Sequence, residues 1–350
     1  MSTATSSPLS QAILQHPGVV LLAAAVLYAF FRFRDTAIGT KRRPDLPSPP
    51  TVPLLGHALS FLGWMPRLSE YLVQMHEIYG DVFRISLPGI NFIVTRRIED
   101  IEYAQSNQGN FTNFIKGEKL QRGPMRDILG GGIFASDGHQ WVVQRKAASH
   151  IFSKRSFETI IQDNVVSHTE TLIDVLRQAA DGQRVVTLNK LFFALTFDAF
   201  VNMGFGVEMN SLRSETPPAF QTAFDEAQEH IVWRSVTQGW PLFEKLNGSG
   251  ARHKRNAQTI DEFAYGVVDR RAAEAQKNGE AGGVPKESDL LALFAAIRDE
   301  KGEPLSRKEL RDAILNLIIA GRDTTACVLK INEHVADVST ARLSAGCSST

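Results

Sequence analysis

Helical periodicity dominates the chain beyond Ser136 and restricts the folds that it can adopt. Apolar residues recur there at spacings of three and four, the pattern of a helix with one buried face. Polar, glycine-rich breaks such as NGSGARHKRN separate the periodic segments. The predicted helices cover 138–152, 156–180, 188–204, 217–236, 253–277, 288–299 and 307–329. We therefore expect a mainly α fold for this part of the chain.

A small β element is predicted before this helical region. The stretch DVFRISLPGINFIVT carries strand-forming residues on both sides of Pro88–Gly89, a dipeptide that favours a turn. A helix from Pro66 to Tyr79 precedes this strand pair, and another around 98–107 follows it. Three consecutive glycines, 130–132, come next. They lack the lysine and the spacing of a phosphate-binding loop, so we interpret them as a flexible segment.

The charge balance and the cysteine count exclude two classes of protein. The 350 residues contain 38 basic and 38 acidic side chains, so the formal net charge is zero. A nucleic-acid-binding protein usually has a basic excess, and we expect no nucleic-acid partner here. The cysteines are Cys327 and Cys347, which do not make a disulfide framework.

An apolar segment at residues 12–33, after a short tail at 1–11, is predicted to anchor the chain in a membrane. No Asp, Glu, Lys or Arg occurs before Arg32, and about 20 apolar helical residues are enough to cross a bilayer. A cleaved signal peptide is the alternative, but it requires positive charge ahead of the apolar run. Here the positive charges follow the run, which predicts a single-pass anchor with a cytosolic body. Residues 34–56 are basic and rich in proline, and we expect a stiff spacer.

Trp141 and Arg145 form the first group of residues that can carry chemistry. They are four positions apart and therefore share one face of a predicted helix. An indole N–H and a planar guanidinium can together bind a carboxylate. The alternative is a stacked Trp–Arg pair on a helix surface. Taken alone, the spacing favours the stacked pair.

The stretch LNLIIAGRDTTA, 315–326, forms the second group. Ser306 and Glu309 have the spacing of a capping box, so a helix is predicted to begin there. Its apolar run leads into Gly321, which costs about 1 kcal/mol relative to alanine inside a helix. Asp323 is costly to bury without a partner, and the threonines beside it can bend a helix. Spacing alone leaves two interpretations open, a deliberate local opening or a helix that reaches the surface.

The combination of these features resembles a known family. An apolar anchor, a basic proline-rich spacer, a β pair, the Trp141/Arg145 helix and the motif Ala320 to Thr325 follow one another in the order of the microsomal cytochrome P-450 haem-thiolate monooxygenases. The resemblance extends from about residue 12 to residue 326, and 57–326 would be an incomplete domain of that fold, ending in its long central helix. The stretches LTFDAFVNMGFG and FQTAFDEAQE are more similar to the fatty-acid hydroxylating branch.

The resemblance implies a role for each motif residue. Trp141 and Arg145 match the residues that hold a haem propionate. Asp323 and Thr324 match the catalytic acid and alcohol that relay protons to oxygen. The oxygen pocket would be formed by Ala320, Gly321 and Thr325, with Gly321 leaving room for dioxygen.

The same resemblance implies a cofactor, partners and a location. The cofactor is haem, and the reaction inserts one oxygen atom of O2 into a lipophilic substrate, with a fatty acid favoured by the branch. Electrons come from an NADPH-dependent flavoprotein reductase. The expected location is the endoplasmic reticulum membrane, with the body of the protein in the cytosol.

The chain departs from the family pattern at the metal ligand. The family places a cysteine thiolate in a Phe-x-x-Gly-x-Arg-x-Cys-x-Gly setting, and neither Cys327 nor Cys347 has such neighbours. No glutamate is followed three residues later by arginine, so the family's Glu-x-x-Arg pair is also missing. We expect residues 327–350 to be a divergent tail and the 350-residue chain to be inactive. The alternative function is a non-catalytic, membrane-tethered helical protein that binds lipid or a partner.

Overall fold

The computed structural model describes residues 17–106, 114–151, 162–214, 216–237, 239–277, 291, 294 and 304–347. The chain divides into two compact units, Met1–Phe114 and Ile115–Thr350. Each unit has its own helices, and the first one also contains the β element. This architecture confirms the expected mainly α fold with a small β element.

The first unit contains four helices and one pair of strands among its described residues. The antiparallel strands pair from Val82 with Thr95 to Leu87 with Ile90, and Gly89 supplies the turn with a φ of +79°. The predicted strand pair is therefore confirmed. The elements in chain order are α1 (Pro17–Arg32), α2 (Ala58–Trp64), a 3-10 turn (Met65–Arg67), α3 (Leu68–Tyr79), β1 (Val82–Leu87), β2 (Ile90–Thr95) and α4 (Ile98–Gln105).

Helix α1 covers most of the predicted membrane anchor. The first part of the predicted segment 12–33, residues 12–16, lies outside the described residues. The described part is a helix of 16 residues, and none of its side chains is buried. Of the helices that the structure describes, none combines the length and the apolar character needed to cross a membrane. The predicted membrane-spanning helix is therefore not found in this part of the chain.

The second unit is built from helices. Its elements are a π-helical turn (Glu118–Arg122), α5 (Gly123–Leu129), α6 (Gly138–Ile151), α7 (Gln162–Asp181), α8 (Leu188–Phe205), a 3-10 turn (Ser211–Arg213), α9 (Ala219–Val236), α10 (Trp240–Asn247), α11 (Ser249–Lys277) and α12 (Arg307–Cys347). The predicted helix starts near 138, 188 and 307 are confirmed. The predicted start at 156 and nearly all of the predicted helix 288–299 lie outside the described residues.

Helix α12 begins at a capping box and extends beyond its predicted end. The predicted capping box is confirmed, because the Ser306 N–H donates to Glu309 Oε2 at 2.8 Å and the Glu309 N–H donates to Ser306 Oγ at 3.3 Å. The predicted end at 329 is wrong, since the helix continues to Cys347. The sequence after 329 contains no proline, and its first glycine is Gly346, so nothing stops the helix earlier.

A phenylalanine-rich core joins α8, α9, α11 and α12. The rings of Phe197, Phe220 and Phe224 are stacked in succession at centroid distances of 5.6 Å and 5.3 Å. Ile314 and Ile318 of α12 are completely buried beside them. The helical spacing of the apolar residues in α12 thus marks its buried face correctly, and this packing holds the 320–325 turn in place.

Candidate functional site

The helix does not open at the Ala320–Thr325 turn. Helix α12 passes through it without interruption, and Arg322 and Ala326 are buried there. Thr324 and Thr325 are exposed, while Gly321 and Asp323 are half-buried. The polar residues of the motif therefore point in different directions, and the turn cannot be described simply as a place where the helix surfaces.

Gly321 is required by the close approach of α8 to α12. A Cβ atom built on Gly321 would overlap the ring of Phe200. The phenylalanine ring thus lies where the side chain of any other residue would be. In this structure the space beside Gly321, which the resemblance assigns to dioxygen, is taken by Phe200.

An apolar cavity of about 590 Å³ lies between α7, α8 and α12. All three predicted oxygen-pocket residues line it, and so does Thr324. Its walls are formed by Val165, Thr169, Leu195, Thr196, Ala199, Phe200, Met203, Leu317, Ala320, Gly321, Thr324, Thr325 and Leu329. Most of these side chains are apolar, so the cavity suits a lipophilic ligand. The structure therefore gathers four of the seven predicted site residues around one cavity.

The hydroxyl of Thr324 is already engaged. Its Oγ1 donates a hydrogen bond of 2.7 Å to the carbonyl oxygen of Ala320, one turn earlier. Threonine commonly satisfies its hydroxyl in this way inside a helix. To donate to any other acceptor, Thr324 must first release this bond.

Asp323 lines a different cavity from Thr324. This second cavity, of about 560 Å³, is lined by residues of α8, α9 and α12 and of the 3-10 turn Ser211–Arg213. Burial raises the pKa of the Asp323 carboxyl, and the nearby positive charge of Arg322 opposes that shift. The Arg322 Nη1 atom lies 3.6 Å from Asp323 Oδ1. The acid and the alcohol of the motif thus face separate spaces.

Arg322 is the most buried charged side chain of the motif. Its guanidinium is 2% exposed and binds Asp225 of α9 through two hydrogen bonds, of 2.5 Å and 3.1 Å. The rings of Phe193 and Phe197 lie 5.2 Å and 5.7 Å from its centre. A bidentate pair of this kind fixes the relative position of two helices as well as their charge. Arg322 therefore holds α9 against α12.

Unpaired polar atoms are concentrated around the second cavity. Five of its lining side chains have a buried nitrogen or oxygen without a hydrogen-bond partner, namely Asn189, Ser211, Gln221, Arg322 and Asp323. Buried polar groups are normally satisfied by protein or by ordered water. We therefore expect this cavity to be hydrated, in contrast to the apolar one.

Trp141 and Arg145 lie on α6 and line neither cavity. Arg145 is exposed and Trp141 is half-buried. The Lys116 ammonium lies 5.5 Å from the centre of the indole ring, and burial lowers the pKa of this lysine. The cation beside the indole is thus Lys116, which the sequence pattern did not single out.

The three-glycine loop is hydrogen-bonded to both α6 and α12. Its interpretation as a flexible segment is therefore wrong. The Gly131 N–H donates to Asp312 Oδ2 at 2.9 Å, and the Gly131 carbonyl accepts from Gln144 Nε2 at 2.7 Å. Asn316 accepts a bond from the Phe134 N–H at 3.0 Å and donates to the Leu129 carbonyl at 2.9 Å.

Glycine is needed in this loop because α12 lies so close to it. A Cβ at Gly130 would overlap the carboxyl of Asp312, and one at Gly132 would overlap the amide of Asn316. The signal in the sequence was the presence of Asp312 and Asn316, four residues apart, on the buried face of a predicted helix. Buried polar side chains at that spacing indicate partners in another segment.

The residues that the resemblance assigns to haem and to oxygen are not gathered at one site in this structure. Phe200 fills the space beside Gly321, and neither Trp141 nor Arg145 lines the cavity that contains Ala320. Cys327 is exposed on α12. Among the described residues, no group of three or more histidine, cysteine or acidic side chains is arranged to hold a metal ion.

Comparison with known proteins gives a consistent result. The family model described as Cytochrome P450 matches residues 46–332. Cytochrome P450 monooxygenase cyp1 of Mycosarcoma maydis is 36% identical over 329 residues, which are 91% of this chain and 51% of that protein. Cytochrome P450 704B1 of Arabidopsis thaliana is 32% identical over 309 residues, 83% of this chain and 57% of that protein. The chain thus spans about half the length of the curated relatives it matches.

Solved structures agree on the fold. The crystal structure of the cytochrome P450DA heme domain aligns with a TM-score of 0.66 and 19% identity, covering 85% of this chain and 62% of that one. Sequence identity this low supports a shared fold and nothing beyond it.

Proposed function

The chain belongs to the cytochrome P450 family, and on that premise we propose that it takes part in haem-dependent insertion of one oxygen atom of O2 into a lipophilic substrate. The cofactor that the family implies is haem, which supplies the oxygen chemistry when it is bound. The observation that carries the proposal is the apolar cavity along α12. The four residues matching the family's oxygen motif that line it are Ala320, Gly321, Thr324 and Thr325.

We propose further that the substrate is a long aliphatic molecule, such as a fatty acid. The cavity has a volume of about 590 Å³ and is lined largely by aliphatic and aromatic side chains. Such a lining stabilises a hydrocarbon chain by removing its surface from water. Ala199 of α8 and Ala320 of α12 each contribute only a small side chain to its wall.

Asp323 and Thr324 are proposed to hold and move protons. The raised pKa of Asp323 means that it keeps its proton to a higher pH than an aspartate in water does. Thr324 lines the substrate cavity, and its hydroxyl can exchange its bond to the Ala320 carbonyl for one to another acceptor. Trp141 and Arg145 are proposed as the residues that bind a haem propionate, since both carry N–H donors and Arg145 is exposed on α6.

The partners and the location are proposals of the same kind. Electrons would come from an NADPH-dependent flavoprotein reductase.

Exposed apolar side chains on α1, followed by Arg32 and Arg34, are the features that support association with the endoplasmic reticulum membrane and a cytosolic body. Fusion of a reporter to the C-terminus, followed by protease treatment of sealed microsomes, would test this orientation. Protection of the reporter would contradict it.

We also propose that the 350 residues by themselves do not hold haem through a thiolate. The sequence contains no cysteine in the family's ligand setting, and Cys327 is exposed. The test is a reduced carbon-monoxide difference spectrum of the purified chain after reconstitution with haem. We expect no thiolate-type Soret band. The appearance of that band would show that this proposal is wrong.

A second candidate function is non-catalytic lipid binding in the same cavity. The lining of the cavity is largely apolar, and Phe200 contributes to it beside Gly321. Saturable binding of a fatty acid to the haem-free chain favours this function, and absence of such binding contradicts it. Monooxygenation requires haem in addition. Binding of the fatty acid without conversion therefore indicates the second candidate, and its oxidation in the presence of haem indicates the first.

A further inference from the structure

Four arginine side chains are buried among the residues that the structure describes, and three of them have a carboxylate partner. Arg234 pairs with Glu244, Arg311 with Asp261, and Arg322 with Asp225. The fourth, Arg84 on strand β1, is 5% exposed and forms no ion pair with a described carboxylate. A buried charge without a counter-charge is strongly unfavourable. Among the described residues, Arg84 therefore lacks an ion-pair partner, unlike the other three buried arginines.

The hydrogen bonds of Arg84 go to neutral oxygens. Its Nη1 atom donates to Thr36 Oγ1 and to Ser86 Oγ, each at 3.1 Å. Its Nη2 atom donates to the backbone carbonyl of Asp35 at 3.2 Å, and its Nε atom is buried without a partner. These contacts hold the guanidinium in place without neutralising its charge. Burial lowers the pKa of Arg84 from its usual value, as expected for a cation removed from water.

The carboxylates whose charge acts on Arg84 are those of Asp35 and Asp45, and each forms an ion pair with another arginine. Asp35 binds Arg42 at 2.5 Å, and Asp45 binds Arg43 at 2.7 Å. Both carboxylates act on Arg84 through space, but neither forms an ion pair with it. The local balance is thus positive, because Lys41 adds a further cation.

A pocket of about 300 Å³ opens beside this guanidinium. Three cations line it, Lys41, Arg43 and Arg84, and no acidic residue does. Gly39 and Gly89 form part of its wall, with φ angles of +76° and +79°. A Cβ on Gly39 would meet the backbone of Gly89 at 3.4 Å, so the two backbone segments lie close together at this wall.

We propose that this pocket binds a phosphate-bearing anion, with Arg84 as the inner cation, Lys41 as an outer one, and Arg43, bound to Asp45 through Nε and Nη2, as the second outer one. Arginine suits a phosphate oxyanion because its planar guanidinium stays charged and can donate more than one hydrogen bond. The site lies wholly within the Met1–Phe114 unit and does not depend on the proposed monooxygenation.

Two sources can supply this anion, free phosphate and the headgroup of a phospholipid. A headgroup is one source because the exposed apolar helix α1 belongs to the same unit and ends at Arg32, nine positions before Lys41. Free phosphate has the same oxygens without the lipid. The binding chemistry is the same in both cases, so the experiment has one arm for each source.

The first arm measures thermal unfolding of the full chain in phosphate and in chloride at equal ionic strength. We expect phosphate to raise the Tm, because an anion that binds only the folded state stabilises it. Lys41→Gln/Arg43→Gln keeps the buried Arg84 but should weaken phosphate binding by about tenfold or more. Arg96→Gln/Arg97→Gln is the control, because it removes the same charge from exposed positions of the same unit. This pair should leave the affinity for phosphate unchanged.

The second arm measures sedimentation of the chain with vesicles of phosphatidylcholine, with and without phosphatidic acid. A preference for phosphatidic acid that Lys41→Gln/Arg43→Gln loses, and the control pair keeps, identifies a headgroup. A phosphate effect on Tm without that preference identifies a soluble anion. Either result supports the site. The proposal is overturned if neither anion has an effect, or if the control pair loses binding as much as the pocket pair does.

Discussion

The ring of Phe200 lies against the backbone of Gly321, in the volume that a side chain at position 321 would occupy. This contact belongs to the packing of α8 on α12, where the apolar cavity is bounded by both residues. It explains the glycine by helix packing, independently of any role toward oxygen. The predictions below begin with this pair.

Gly321→Ala should destabilise the protein. Overpacking of a core costs about 1–3 kcal/mol, and the better helix propensity of alanine returns only about 1 kcal/mol. Urea unfolding measures the change. In Phe200→Leu/Gly321→Ala the smaller side chain makes room, so the double variant should lose less stability than the sum of the two single variants.

A matched control for this change is Gly266→Ala in the middle of α11. A Cβ there meets nothing within 4 Å, so alanine should stabilise by up to about 1 kcal/mol. Equal effects at both glycines would contradict the packing argument.

Asp225→Asn should destabilise the protein by about 1–3 kcal/mol. This is less than the 3–5 kcal/mol of a fully buried pair, because Asp225 is 47% exposed and solvent screens it. The loss arises because the buried Arg322 guanidinium keeps its charge without a carboxylate. Asp174→Asn breaks an exposed pair with Arg177 and should change stability by less than about 1 kcal/mol. A change at Asp225 no larger than at Asp174 would count against the role of Arg322 in holding α9.

Asn316→Ala should disrupt the junction between the glycine loop and α12. The variant leaves the Phe134 N–H and the Leu129 carbonyl without their partner, at a cost of about 1–3 kcal/mol for the buried carbonyl and less for the partly exposed N–H. Hydrogen exchange at the Phe134 amide should accelerate together with the loss of stability. Asn256→Ala, which removes a surface bond to Glu226, serves as the control. Unchanged exchange at Phe134 would be incompatible with the contacts described.

His253 should make stability depend on pH. Its ring is buried, neither ring nitrogen has a hydrogen-bond partner, and burial lowers its pKa from 6.5 to about 4. Arg234 and His230 lower this pKa further, while Asp127 and Glu244 oppose the shift. The folded state thus binds fewer protons than the unfolded state between these values, so stability falls as pH falls from 6.5 to about 4.

The test compares His253→Phe with His139→Phe at an exposed position. Urea unfolding at several pH values should show a flatter profile between pH 6.5 and about 4 only for the buried position. The same slope in both variants would refute this assignment.

The sequence allowed some features of the fold to be predicted, and the physical reason differs from feature to feature. The strand pair and the capping box are local, so turn residues and short spacings suffice. The buried face of α12 follows from helical periodicity. The unbroken continuation of α12 beyond 329 was also local information, since neither proline nor an early glycine occurs there.

Contacts between distant segments could not be read from the sequence. Asp225 and Arg322 are 97 positions apart, and nothing in either neighbourhood indicates their pairing. Adjacent residues of a helix point about 100° apart, which already argues that Asp323 and Thr324 need not share a cavity. Which space each one faces depends on how α7, α8 and α9 pack, and that is a property of the whole unit.

The central claim is that the face of α12 at Ala320–Thr325 builds a cavity for a lipophilic ligand. Displacement of a fluorescent fatty acid from the haem-free chain tests it most directly. We predict saturable binding that Ala320→Phe, a side chain placed into the cavity, weakens by about tenfold or more, corresponding to about 1.4 kcal/mol. Ala251→Phe, at an exposed position of α11, should leave binding unchanged, with the Tm of both variants measured alongside. Binding that does not saturate, or that both variants retain equally, would contradict the account.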